Sequence, residues 1–105
     1  MLENKFQASL IKELKQMFKG CVVLKTDANY IQGFPDLLIL FENKWAALEC
    51  KQSQNSRFRP NQEYYIDLLG SMSFCSVIYP EIKEEVLYEL QQAFETRRSS
   101  RVPKR

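Results

Sequence analysis

The 105-residue chain contains no histidine. That absence excludes Ser-His-Asp and Cys-His triads, histidine-ligated zinc hydrolases, and any phosphodiesterase whose general base is an imidazole. Hydrolytic chemistry in such a chain has to run on carboxylates, lysine and a metal ion. Long apolar runs are missing too, none approaching the ~18 residues of a membrane span. Met1-Leu2-Glu3-Asn4 leads into an amphipathic stretch without a signal-peptide pattern, so the expected location is the cytoplasm, with no membrane contact. Cysteine is sparse: Cys21, Cys50 and Cys75 form neither a CxxC pair nor an even set, which argues against a zinc site or a disulfide framework. Each lies among apolar or β-branched neighbours and reads as a small hydrophobe in a reducing compartment.

The remaining composition is that of one ordinary globular domain, with 45% hydrophobic and 27% charged residues. The net charge of +2 averages two unlike regions. Residues 1–96 hold all 13 acidic residues against ten basic ones, a balance of −3. The remaining five basic residues, Arg97, Arg98, Arg101, Lys104 and Arg105, make 97–105 a +5 tail. The expected organisation is therefore a single domain over 1–96 and a basic, disordered tail over 97–105, whose Arg97, Arg98 and Arg101 can attract a polyanion without reading sequence.

Leu2, Phe6, Leu10, Ile11, Leu14, Met17 and Phe18 recur at the spacing of one helical face, and Gly20 stops that helix. Cys21–Lys25 is a short β-branched run. Leu37–Phe41 is continuously apolar, as in a strand buried on both faces, and Trp45–Lys51 returns after a turn at Glu42-Asn43-Lys44. Gln52–Pro60 is a polar loop carrying Arg57 and Arg59, and Pro60 can open the helix that follows. Phe74–Tyr79 reads as a fourth strand, and Ile82–Phe94 as the last helix, with Val86, Leu87, Leu90 and Phe94 on its buried face. No internal repeat or linker interrupts the order αβββαβα, which predicts an α/β fold with helices on both faces of one mixed sheet.

Asp36, Glu49 and Lys51 are out of place in this pattern. They put a carboxylate at the start of one apolar strand, and a carboxylate and an ammonium at the end of the next. Glu49 and Lys51 share a face, and Cys50 points the other way. If the turn is the two residues Glu42-Asn43, Asp36 lies directly opposite Glu49, with Cβ atoms roughly 5 Å apart. Two carboxylates that close repel unless a cation lies between them, and oxygen ligands suit Mg²⁺ or Mn²⁺. An ion held there would activate a water, bridge a phosphate and neutralise charge building on its oxygens, with Lys51 orienting the nucleophile or stabilising the transition state.

Gly33-Phe34-Pro35-Asp36 followed by Glu49-Cys50-Lys51 resembles the PD-(D/E)xK nuclease motif, and Gln62 resembles the additional glutamine of its virus-type replication-repair (VRR-NUC) branch. The resemblance implies a restriction-endonuclease-like αβββαβ core, with one mixed four-stranded sheet flanked by helices and an extra C-terminal helix. It implies Mg²⁺, with Mn²⁺ as substitute, bound by Asp36, Glu49 and the backbone carbonyl of Cys50, and no organic cofactor. Glu3 on the first helix is the best match for a completing ligand, with Glu13 second. The implied function is a DNA endonuclease of the small phage and bacterial type, a homodimer acting on branched or four-way-junction (Holliday junction) DNA in replication, recombination or repair. Arg57 and Arg59 are then expected at phosphates.

Plainer readings of the same residues are a turn cap at Asp36, an exposed Glu49–Lys51 strand pair, an ordinary helix-start residue at Gln62, and solvated surface lysines at Lys25 and Lys44. Trp45, Tyr64 and Tyr65 read as core or interface before base-stacking platforms. The corresponding alternatives in function are a non-catalytic nucleic-acid-binding module of the same fold, a host-interaction protein, and a sequence-specific or nicking endonuclease.

Overall fold

The computed structural model describes residues 2–101, with side chains from 4 to 95. Helix α1 (Leu2–Met17) buries Leu10 and Leu14, spaced one turn apart, and Phe18 just beyond its end. Gly20, at φ 89°, turns the chain out of it into β1 (Val22–Lys25). Strands β2 (Leu37–Phe41) and β3 (Lys44–Cys50) form a hairpin whose two-residue turn places Glu42 at φ 58°. A positive φ at that position is what the favoured two-residue hairpins require. Lys44 is the first residue of β3 and lies outside the turn.

The sheet order is β1-β2-β3-β4, with β1, β2 and β3 antiparallel and β4 (Phe74–Ile78) parallel to β3. Helix α2 (Gln62–Met72) makes the β3-to-β4 crossover, and a 3-10 turn at Pro80–Ile82 leads into α3 (Lys83–Arg101). The fold is thus α/β with one mixed four-stranded sheet, as the sequence pattern anticipates. α3 runs past Phe94, its last buried apolar residue, because no glycine or proline interrupts it before Pro103.

The hairpin register decides which side chains share a face. Leu37 pairs with Leu48, Ile39 with Ala46 and Phe41 with Lys44. Leu37, Ile39, Ala46, Leu48 and Cys50 face α1 and α3, where they join Leu10, Leu14, Phe18, Leu90 and Phe94 in the core. The other face carries Leu38, Leu40, Trp45, Ala47 and Glu49 and lies against α2.

Two expectations need correction. Lys44 is no solvated surface charge. It is 5% exposed, donates through Nζ to Glu42 Oε1 at 2.9 Å and to Asn43 Oδ1 at 3.2 Å, and lies 5.6 Å from the Phe41 ring. Its aliphatic stem closes the end of the core while its head reaches the turn. Pro60 does not open α2, because Asn61 at φ 71° cannot be a helical residue and the helix starts at Gln62.

The Phe94 ring packs edge-on against Phe18, with centroids 5.1 Å apart, and lies 5.6 Å from Phe41, joining α3 to α1 and the sheet. Phe94→Ala is therefore expected to lower the unfolding free energy by about 3–5 kcal/mol, measured by urea denaturation.

Candidate active site

Asp36 stands one residue before β2, level with Glu49 across the hairpin. Pro35 before it is buried, and Thr26 fixes the backbone there. The Thr26 hydroxyl donates to the carbonyls of Pro35 at 2.6 Å and Asp36 at 3.2 Å, and its N–H donates to the Asp36 carbonyl at 2.9 Å. The Asp36 carboxylate is oriented in turn, its Oδ2 accepting the Cys50 N–H at 2.9 Å.

Glu49 and Lys51 occupy the same face of β3 and its extension, and the Lys51 N–H donates to the Ile78 carbonyl at 2.9 Å. Both side chains are buried, with Glu49 2% and Lys51 8% exposed. Desolvating two such groups costs several kcal/mol each unless charge and hydrogen bonds compensate. Gln62, also buried, supplies the compensation: its Nε2 donates to Glu49 Oε2 at 2.7 Å, and its Oε1 accepts from Lys51 Nζ at 2.7 Å and from the Arg59 N–H at 2.7 Å. Lys51 Nζ also donates to the Arg57 carbonyl at 3.0 Å and lies 3.5 Å from Glu49 Oε2. The Phe58 ring centroid is 5.2 Å from the same ammonium.

Asp36, Glu49, Lys51 and Gln62 line one cavity of about 210 Å³ together with Ser56, Arg57 and Arg59. The two arginines are exposed at its mouth. The structure thus brings together Asp36, Glu49, Lys51, Gln62, Arg57 and Arg59, residues from four separate stretches of chain. Glu13 does not join them. It pairs with Lys83 at 2.9 Å, bridging α1 to α3 away from the cavity. The side chains of Glu3, Arg97, Arg98 and Arg101 lie outside the described residues. At Cys50 the side chain enters the core and the backbone N–H holds Asp36.

Among the described residues no three His, Cys, Asp or Glu side chains converge as a metal cage. Among the described residues the cavity's anionic set is Asp36 and Glu49. That set fits Mg²⁺ or Mn²⁺, which keep several waters and bind through one or two carboxylates, and does not fit a structural zinc ion. Sequence reasoning missed Thr26, Ser56, Phe58 and Asn61. Thr26 and Ser56 carry no signal in the sequence, and Phe58, lying between Arg57 and Arg59, is visible only as an aromatic in a cationic loop.

Comparison with known proteins places the fold. A solved structure described as a VRR_NUC domain protein superposes with a TM-score of 0.64, covering 90% of this chain and 89% of its own, at 17% sequence identity. At that identity the likeness is one of fold. No family model matches the sequence, and no curated protein matches it.

Cys75, paired with Ala47 in the β3–β4 register, lies on the Glu49 side of the sheet. Burial, and secondarily the Glu49 charge, push its thiol up to about 11. Because the fold favours the protonated form, the thiolate appears only as pH rises toward that value. In a Cys21→Ser background, with Cys50 fully buried, iodoacetamide alkylation of Cys75 should be very slow at pH 8 and rise with a midpoint near 11. Glu49→Gln should move the midpoint downward, read by mass spectrometry across pH.

Proposed function

We propose that this chain is a Mg²⁺-dependent endonuclease of the virus-type replication-repair kind, hydrolysing DNA phosphodiester bonds at branched or junction structures, with Mn²⁺ able to substitute. The observation carrying this reading is the buried Glu49–Gln62–Lys51 network opening beside Asp36 into a cavity with Arg57 and Arg59 at its mouth. A buried carboxylate and ammonium sharing one glutamine at a polar cavity is a costly arrangement for packing alone.

Asp36 and Glu49 would hold the divalent ion, which when bound supplies Lewis-acid activation of water and charge neutralisation at phosphate. Lys51 acts as a fixed cation. Gln62 and the Arg57 carbonyl hold its Nζ in place, so its charge is preorganised for the extra negative charge of the transition state. Gln62 keeps the lysine and the carboxylate at constant separation. Arg57 and Arg59 reach the flanking phosphates, supplying attraction that the +2 net charge does not.

One site cuts one strand, so paired cuts across a junction require two copies. Support for a homodimer comes from the α2 side of the sheet, where Val22, Leu24, Leu40 and Met72 are all exposed apolar residues.

The decisive experiment offers linear, flapped, forked and four-way DNA to the protein with Mg²⁺ or Mn²⁺. Branched substrates should be cut and EDTA should abolish cutting. Asp36→Ala, Glu49→Gln and Lys51→Ala should each lower the rate by about 10³-fold or more while circular dichroism stays that of the parent. Calorimetric titration with Mn²⁺ should give a binding heat that Asp36→Ala removes. A protein that binds DNA with a steep salt dependence but shows neither cutting nor that heat is a binding module, and the nuclease reading falls.

A further inference from the structure

The two halves of the site come from different parts of the chain. Asp36 belongs to the loop entering β2, whereas Gln62 opens α2 and governs Glu49 and Lys51. Hairpin pairing and the Cys50 N–H hold Asp36 against β3, so the placement of Gln62 relative to Asp36 depends on how that loop abuts the start of α2, and the abutment is unusually close. Gly33 has φ 90°, and a Cβ built on it would stand 2.6 Å from the Asn61 Cβ, 2.8 Å from the Asn61 carbonyl carbon and 2.8 Å from the Pro60 carbonyl oxygen. Two of those three atoms are backbone and cannot swing aside. Asn61 is itself left-handed at φ 71°, a conformation asparagine tolerates better than most residues. Beyond the contact, the Phe34 and Tyr65 rings meet with centroids 5.6 Å apart.

Both sides transmit a displacement directly. Gly33 is separated from Asp36 only by Phe34 and Pro35, and the proline ring fixes φ while the residue is buried. Asn61 adjoins Gln62, whose N–H donates to the Arg59 carbonyl at 3.1 Å. We propose that Gly33 is a positioning residue: its missing side chain lets the loop rest on the Asn61 backbone, which sets the spacing between the Asp36 loop and Gln62, and through Gln62 the placement of the Lys51 ammonium beside Asp36. A methyl group there would push the two segments apart by about 0.6 Å or more before ordinary contact is restored. Misplacement of about an ångström costs catalysis on the order of 10²-fold.

The proposal rests on the nuclease reading for its catalytic consequence but not for its geometric one, and the test separates them. In Gly33→Ala, kcat for Mg²⁺-dependent DNA cleavage should fall by about 10- to 100-fold while KM stays within about threefold. The side-chain amide signals of Gln62 in a ¹H–¹⁵N spectrum should move. Adding Asn61→Gly removes the closest of the three contacts and should recover part of the loss. If Gly33→Ala does not fold, the Gly33→Ala/Asn61→Gly double variant takes its place: the two backbone contacts remain, so kcat should still lie below that of Asn61→Gly alone and the Gln62 signals should still be displaced from theirs in that single variant. Wild-type kcat and unmoved Gln62 signals, or a lowered Tm with both unchanged, would overturn the proposal. If the parent protein itself cuts no DNA, the nuclease reading fails, and the Gln62 signals alone still decide whether Gly33 sets the spacing.

Discussion

The site depends on one side-chain amide. Gln62 donates to Glu49 with its nitrogen and accepts from Lys51 with its oxygen, and both partners are buried at the end of β3. Without that bridge, a carboxylate and an ammonium 3.5 Å apart would each lose a short hydrogen bond that offsets its desolvation penalty. With it, each ion gains a short hydrogen bond in a low-dielectric setting, where such bonds are strongest. The Arg59 N–H on the same Oε1 adds the cationic loop to the network.

The rest of the fold serves to bring Gln62 there. A hairpin with a two-residue turn puts Asp36 level with Glu49, and the Asp36–Cys50 hydrogen bond holds them in register. A helical crossover returns β4 parallel to β3, so that α2 spans the sheet with its first residue over the end of β3. The opposite face of the sheet carries the apolar packing against α1 and α3, leaving the α2 face to carry the polar cluster. Cys50 illustrates the division, its side chain in the core and its N–H on the Asp36 carboxylate.

Hydrophobic periodicity made the element order and the hairpin legible, since continuous apolar runs bounded by turn residues leave little choice of strand. It also exposed Asp36, Glu49 and Lys51, because charged residues at the ends of apolar strands on one face are anomalous. Less was legible where a neighbour distant in sequence decides the outcome. Lys44 looked like any surface lysine until the register turned it toward Phe41. Glu13 looked like a possible ligand until α3 placed Lys83 beside it. The start of α2 shifted from Pro60 to Gln62 because Asn61 is left-handed, a conformation that asparagine tolerates but does not require.

By itself, the sequence determined the α/β class, the strand that presents Glu49 and Lys51, and a chemistry without imidazole. Those follow from local alternation and from which side chains exist at all. Only the tertiary structure decided that Gln62 bridges Glu49 and Lys51, that Thr26 anchors Asp36, and that Gly33 seats one half of the site on the other. Each of these is a contact between segments separated by ten or more residues, where the residue type permits the contact but the approach of the two backbones decides whether it forms.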